Sequence, residues 1–423
     1  MALIPRSIPG PGTRVVVWGF GTHGGGQAAA RTCRQLGADV TILDSKPAAS
    51  FGAAAEGWSW EVGDGSSPAL QACDLIIPSP AIPPRAWPAS HPPRLSPEAL
   101  FFALHQGPRV IVTGTKGKST TARILGCLLG WEVGGNSYDP LLDLLERQGP
   151  TAGVVCELSS FQGWYLRPDA PSCGGAVLTT LAVDHLDWHP DLADYHAAKL
   201  ALLADAPFVA TDPGLWNRLP PGSQALAPAH WHPDLAQRDD LALLGDHNDR
   251  NAALAVALAL QLGVAPGSVA ARLRQVQPLP HRLQTVPGQG PWTYVDDSIA
   301  TTPEAAMAAL AAIPGPMAII LGGHDKGASF AELAGAVARR GAIPLLIGTT
   351  APRLAEALCH HGVAPVMAGR LDIAMAAGRS ALPEGGTILL SPACSSFDQF
   401  RGFEDRGRQF QGFATLTKGL SGA

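Results

Sequence analysis

The sequence predicts an α/β protein of three domains, on three observations. Short runs of β-branched and aliphatic residues alternate with helical stretches along most of the chain, the pattern of parallel sheets covered by helices. Glycine, serine or aspartate follows most of these runs, which places polar groups along one rim of each sheet, where open α/β sheets bind ligands. At 423 residues the chain has the length of two to four ordinary domains.

Composition narrows the partners. Hydrophobic residues make up 46% of the chain, enough for several cores, and 30 basic against 35 acidic residues leave a net charge of −5. That balance gives no footing to nucleic acid or to an anionic membrane. Seven cysteines (33, 73, 127, 156, 173, 359 and 394) show no metal or disulfide spacing, as expected of reduced thiols in a cytoplasmic protein. Met1 to Arg6 lacks the apolar stretch of a signal peptide. The longest apolar run, 252–264, is too short to span a bilayer and reads as a buried helix.

Residues 1–94 read as a Rossmann-like domain. Thr13 to Val17 is a strand, Gly19-Phe20-Gly21-Thr22-His23-Gly24 a glycine turn, Ala28 to Leu36 a helix, and Ala38 to Leu43 a second strand ending at Asp44. An acidic residue about 20 positions beyond GxGxxG in a βαβ unit is the dinucleotide fingerprint; it fits NAD, a nucleoside diphosphate or a plain tight turn. Asp74 to Pro80 adds a strand running into a rim loop, and the proline-dense stretch 83–97 marks a boundary near residue 94.

Residues 95–283 read as a central α/β domain of the P-loop ATPase type. Val110-Ile111-Val112 is a buried strand, followed by Thr113-Gly114-Thr115-Lys116-Gly117-Lys118-Ser119-Thr120 and a helix. Glycines let backbone N–H groups curl around phosphate oxygens, and the helix N-terminus adds positive potential. Lys118 can reach the β- and γ-phosphates and Ser119 can ligate Mg²⁺, although two residues stand between the glycines where the general pattern has four. A strand over 151–158 brings Glu157 to the ligand-binding edge, suited to a further Mg²⁺ contact. The strand 176–180 leads to Asp184-His185-Leu186-Asp187-Trp188-His189, a polar loop dense enough in ligands to be metal-competent. The helix 194–203 carries Lys199 among Ala and Leu. Asn248 and Asn251, three apart, share a helical face, where they could bond a base or cap the helix.

Residues 284–423 read as a second Rossmann-like α/β domain. Strands over 293–295, 318–321, 344–347 and 387–390 are each followed by polar turns: Asp296-Asp297-Ser298, Gly322 to Lys326, a turn before the helix 353–359, and Ser391 to Phe400. The alternation implies a mostly parallel sheet with helices on both faces.

In this order, GxGxxG, GTxGKST, ELSSFQ (157–162), DHLD (184–187), the lysine beyond it, HNxxN (247–251), His281-Arg282, DDS (296–298), LGGxDK (321–326) and SPACSSFDQF (391–400) resemble the Mur ligases, most closely the glutamate-adding MurD type, from about Val15 to Phe410. The resemblance implies a monomeric, cytoplasmic, ATP-dependent carboxylate–amine ligase of peptidoglycan precursor synthesis. Its small-molecule substrates would be UDP-N-acetylmuramoyl-L-alanine and glutamate, expected to be the D form, joined through an acyl phosphate. Gly114, Thr115, Lys116, Gly117, Lys118, Ser119 and Thr120 would hold the ATP phosphates, with Asn248, Asn251, Arg282 and Asp297 on the same nucleotide. Two Mg²⁺ ions are implied, one on Ser119 and Glu157, the other on His185 and a carbamylated Lys199; Lys118, Glu157, His185 and Lys199 form the catalytic set. Lys326, Ser396 and Phe403 would embrace glutamate. Thr22, His23, Asp44, Ser45, Lys46 and Ser79 would line a UDP pocket, with Asn136 also on the substrate side, so that GxGxxG serves UDP and not NAD.

Three positions depart from the family pattern. Lys116 stands where the loop usually has Asn, Ile299 where many MurD enzymes have Lys, and Ala81 where a Ser-Pro-Gly turn is usual. A folylpolyglutamate synthase would resemble only the later two domains, so the N-terminal unit argues against that relative.

Overall fold

A computed structural model of the chain describes residues 8–416 apart from 22, 23, 169, 230, 231, 233, 234 and 326. The expected site residues Thr22, His23 and Lys326 therefore lie outside the described residues. The chain packs as two units, Met1–Leu241 with Asp249–Val276, and Ala242–Asn248 with Gln277–Ala423.

The first unit contains two parallel sheets. Strands β1 (Arg14–Trp18), β2 (Asp39–Asp44), β3 (Ser59–Val62) and β4 (Leu75–Pro78) lie in the order β3-β2-β1-β4. Strands β5 (Arg109–Thr113), β6 (Glu132–Gly135), β7 (Val154–Glu157), β8 (Ala176–Leu178), β9 (Phe208–Ala210) and β10 (Gln224–Leu226) lie in the order β10-β9-β8-β5-β7-β6. All neighbours in the second sheet are parallel. Val110, Ile111 and Val112 are buried together because both faces of a parallel sheet are covered, which is why the strand reads as a continuous apolar run. One hydrophobic core joins the two sheets, from Val15 and Ile77 through Leu100 and Phe101 to Ile111 and Leu178. The proline-dense segment before residue 95 is tied down: Ile76 N donates to Pro93 O and Leu95 N to Ile76 O, both at 2.9 Å.

In the second sheet β5 has β7 on one side and β8 on the other. The chain leaves β5 toward β6 and leaves β8 toward β9, in opposite directions, so a crevice opens between the C-terminal ends of β5 and β8. The helix Lys118–Leu129 begins there, buries Ile124, Leu125 and Leu128, and stops at Gly130, whose φ of 71° suits a left-handed cap.

The second unit holds β11 (Gln284–Val286), β12 (Trp292–Asp296), β13 (Met317–Gly322), β14 (Ile343–Ile347), β15 (Val366–Gly369) and β16 (Gly386–Leu390) in the order β11-β12-β16-β13-β14-β15. All pairs are parallel except β11 with β12, an antiparallel edge that the strand pattern did not foreshadow. Along β13, Ile319 and Leu321 enter one core with Leu310, Leu333 and Leu354, while Ala318 and Ile320 enter another with Met375 and Phe410. That alternation puts helices on both faces, as expected. No helix among the described residues is long and apolar enough to cross a membrane, and the apolar run at 252–264 falls largely in the buried helix Asp246–Gln261.

Candidate active site

The phosphate loop is built by backbone contacts to the neighbouring strand end. Gly114 (φ 142°) and Gly117 (φ 88°) take conformations that favour glycine. A Cβ at Gly114 would lie 2.0 Å from Thr179 Oγ1, and one at Gly117 2.4 Å from Asn251 Oδ1. Thr115 N donates to Thr180 O at 2.8 Å. Lys116 N donates to Thr180 Oγ1 at 2.9 Å, and Thr179 Oγ1 donates to Lys116 O at 2.5 Å. Gly117 caps the helix that follows, so the helix N-terminus faces the loop, an anion-binding arrangement. Lys118 Nζ lies 3.2 Å from Thr115 O, over the same loop.

Glu157 is fully buried at the end of β7, the strand beside β5. Its carboxylate accepts from Ser119 Oγ (3.1 Å), Asn136 Nδ2 (3.1 Å), Ser137 Oγ (3.3 Å) and Ser137 N (3.2 Å). The structure thus sets Asn136 on Glu157 at the phosphate loop. A buried carboxylate beside a hydroxyl is a hard-oxygen pair of the kind Mg²⁺ takes together with substrate phosphates, so this donor set fits the implied ion.

Lys199 is 1% exposed on the helix Leu192–Ala201. Its Nζ donates to Gly114 O at 2.8 Å and lies 4.7 Å from the centre of the Tyr195 ring, whose hydroxyl donates to Thr115 Oγ1 at 3.0 Å. Burial, and then the charge of Lys118, lower the Lys199 ammonium to about 6 from the usual lysine value. A neutral amine is what CO₂ addition needs, so the site fits the implied carbamate as well. His185 stands on the preceding loop with φ 52°, half-exposed. Burial lowers its imidazole below the usual histidine range, against the opposing pull of Asp184. It is then neutral near pH 7, the form that ligates metal.

The DHLD loop does not close into a metal cluster of its own. Among the described residues no group of three or more His, Cys, Asp or Glu side chains is arranged to hold a metal ion. Asp184 pairs with Lys116 at 3.2 Å, and His189 turns inward onto Asp194 at 2.7 Å. The sequence put these ligand types close together; the turn sends them in different directions.

On the first sheet, Asp44 is buried, with Oδ2 accepting from Phe20 N (2.9 Å) and Oδ1 from Lys46 N (3.0 Å). Its charge orders the glycine turn. Ser79 packs so close to Gly19 that a Cβ there would lie 2.7 Å away. Ser45 borders a cavity of about 480 Å³ with Glu61, Gly63, Asp64 and Ser67.

In the second unit, Asp297 accepts from Leu283 N (3.1 Å) and Ser391 Oγ (2.7 Å), and burial raises its carboxyl to about 7. Arg282 is half-buried. Ser396 is buried, and Phe403 O accepts from Ser298 Oγ at 2.8 Å. Arg406, fully buried, draws these segments together: Nε donates to Ser298 Oγ (3.0 Å), and Nη2 donates to Ser298 O (2.9 Å) and Cys394 O (3.1 Å). Sequence reading missed Arg406; a lone arginine three residues past Phe403 carries no spacing signal. It also missed Tyr195, detectable only as the helical i, i+4 partner of Lys199. Asn251 lies against Gly117 within the first unit, whereas Asn248 belongs to the second and donates to Leu244 O at 2.7 Å.

Known proteins show the same arrangement of sequence. The Mur ligase middle domain matches residues 112–211, and the Mur ligase glutamate ligase domain matches residues 281–394. The UDP-N-acetylmuramoylalanine–D-glutamate ligase of Roseiflexus sp. (strain RS-1) is 33% identical over 95% of this chain and 98% of its own. That of Myxococcus xanthus (strain DK1622) is 35% identical over 95% and 97%. The UDP-N-acetylmuramoyl-L-alanine–L-glutamate ligase of Xanthomonas axonopodis pv. citri (strain 306) is 33% identical over 94% of each chain. Among solved structures, the UDP-N-acetylmuramate–alanine ligase MurC of Thermotoga maritima has a TM-score of 0.58 at 16% identity, covering 94% of this chain and 98% of its own. MurF of Thermotoga maritima in complex with ADP has a TM-score of 0.55 at 15% identity, covering 98% and 97%.

Proposed function

Since this chain belongs to the Mur ligase family of ATP-dependent ligases, we propose that it adds D-glutamate to UDP-N-acetylmuramoyl-L-alanine in the cytoplasm, as a monomer acting on small molecules. The observation that carries the chemistry is the convergence of Lys118, Ser119 and the buried Glu157 and Lys199 on one glycine loop at the end of β5. Residues 1–94 hold the UDP moiety, 95–283 the ATP and 284–423 the glutamate.

A free carboxylate has no leaving group, so the substrate's alanyl carboxylate first takes the γ-phosphoryl of ATP, releasing ADP. The glutamate amine then attacks the acyl phosphate, and the tetrahedral intermediate loses phosphate and a proton to leave the amide. Loop N–H groups and the helix N-terminus hold the β- and γ-phosphates, and Lys118 offsets the charge on the transferring group. Glu157 fixes the Ser119 hydroxyl. Two Mg²⁺ ions, on Ser119 with Glu157 and on His185 with Lys199, would supply positive charge to the phosphates. Lys199 takes its part as a carbamate: its neutral amine bonds the carbon of CO₂ and gives up a proton, which turns a nitrogen that a cation would repel into an anionic oxygen ligand. Lys326, Ser396 and Phe403 bind glutamate.

Phosphate release in the presence of UDP-N-acetylmuramoyl-L-alanine and each glutamate enantiomer tests the reading. Turnover with the D form is expected, and Lys326→Ala should raise the KM for glutamate far more than that for ATP. The Xanthomonas relative, similar at 33% identity, and Ile299 in place of the usual lysine favour a second reading, an L-glutamate ligase, which turnover with the L form alone would establish. Turnover with neither refutes both.

A further inference from the structure

The loop that carries His185 holds a second histidine for which the chemistry above has no use. The His189 side chain is fully enclosed. Its Nδ1 lies 2.7 Å from Asp194 Oδ2, and the other oxygen of Asp194 accepts from Arg167 Nη1 at 2.6 Å. A carboxylate held by an arginine only accepts, so Nδ1 carries the hydrogen of this bond. His189 Nε2 is buried with no hydrogen-bond partner. The ring is packed by Trp188 (4.6 Å between centres), Tyr195 (5.3 Å) and Phe161 (5.8 Å). It is therefore anchored through Nδ1 alone.

Both ends of this anchor lead to residues of the site. At one end, His189 N donates to His185 O at 3.0 Å and Trp188 N does so at 3.2 Å. His185 itself has a φ of 52°, a conformation that a residue with a side chain keeps only when its surroundings impose it. The rings of Phe161 and Tyr195 that pack on His189 also touch His185, at 4.8 and 6.1 Å. At the other end, Asp194 lies in the first turn of the helix that carries Lys199, a helix capped by Asp191 through Asp194 N (2.7 Å). Arg167, at the end of the helix Ser160–Leu166, closes the clamp from a third element.

We propose that His189 is a positioning residue: through the Asp194–Arg167 clamp it holds the His185 loop in register with the helix of Lys199, so that two ligands from separate elements meet one ion. The inference rests on the reading that His185 and Lys199 bind metal. Mutation of such an outer partner typically costs about 10- to 100-fold in metal affinity.

Two variants of the full-length protein separate positioning from packing. His189→Phe keeps an aromatic ring in the aromatic pocket and drops the bond to Asp194. His189→Asn loses the ring but keeps an N–H near the place of Nδ1. Mn²⁺ binding is measured by electron paramagnetic resonance in the presence of the non-hydrolysable analogue AMP-PCP, below the melting point of each variant. His189→Phe should weaken Mn²⁺ about tenfold or more, while His189→Asn stays within about threefold of the wild type. Their order in denaturant stability should be the reverse, because a filled pocket favours Phe. Wild-type Mn²⁺ affinity in His189→Phe, or equal losses in the two variants, overturns the inference. His185→Ala is the control: if it binds Mn²⁺ like the wild type, the assignment of His185 to the metal fails and takes the inference with it, whereas a weak His185→Ala beside a normal His189→Phe removes the inference alone.

Discussion

Lys199→Met should stabilise the protein near neutral pH and lose that advantage as the pH rises. The native amine is 1% exposed and is lowered by burial to about 6 from 10.5. Between those two values the unfolded chain binds a proton that the folded chain does not. Wild-type stability therefore rises with pH across that window, by roughly 1.4 kcal/mol per unit. At pH 7 the native fold carries a cost of about 3.5 × 1.4, or ~5 kcal/mol, offset in part by the bond to Gly114 O. Methionine has no proton to lose and fills the same unbranched volume. The gap between variant and wild type should shrink by about 2 × 1.4, or ~3 kcal/mol, from pH 7 to pH 9. Guanidinium unfolding at the two pH values, in buffer stripped of CO₂, measures it. A gap that stays constant would show that Lys199 remains an ammonium in the fold, and the argument for its carbamate would go with it. Restoring ¹³C-bicarbonate should then give the wild type a carbamate carbonyl resonance that Lys199→Met lacks, and the variant should be nearly inactive.

Lys118→Ala should lower kcat by roughly 10²-fold or more, since its charge faces the transferring phosphoryl and one such donor contributes ~3–4 kcal/mol; phosphate release within a few-fold of wild type would remove the loop from the chemistry. Asp297→Asn should gain stability relative to wild type as the pH rises. The native carboxyl is raised to about 7, so between 3.8 and 7 the folded chain binds the extra proton and wild-type stability falls with pH. From pH 5 to pH 8 the variant should gain about 2 × 1.4, or ~3 kcal/mol, on wild type, and denaturant melts showing no gain would mean that Asp297 is ionised throughout.

What the sequence made legible was local. The strand Val110 to Val112, its two glycines and the helix beyond form a contiguous pattern, and β5 with the helix Lys118–Leu129 matches it. Helices begin earlier than their apolar pattern implies. The helix expected from 194 begins at Leu192 because Asp191 caps it, and the one expected from 252 begins at Asp246, its polar first turn hiding the onset. Contacts between distant residues were not legible. Lys199 reaches Gly114 across 85 positions, Glu157 reaches Ser119 across 38, and Arg406 reaches Ser298 across 108. No periodicity encodes such pairs; they follow from strand order, which places β5 between β7 and β8. The family resemblance implies Glu157 beside Ser119; Arg406, Tyr195, the inward turn of His189 and the bond from Lys199 to Gly114 rest on packing alone.

The departure at Lys116 shows how the loop can change a residue and keep its shape. The side chain is 80% exposed and pairs with Asp184 at 3.2 Å, while the backbone N–H and C=O of the same residue are held by Thr180 and Thr179. The curl of the loop therefore depends on two glycines and two threonines and is indifferent to the side chain that position 116 points into solvent. What the lysine changes is the field. It adds a second cation beside Lys118 at an anion-binding turn, and its charge, like that of Lys118, disfavours protonation of Lys199. An exposed pair with Asp184 contributes little to stability. The substitution acts instead in the direction the site already needs, toward a phosphate-attracting mouth above a lysine kept neutral.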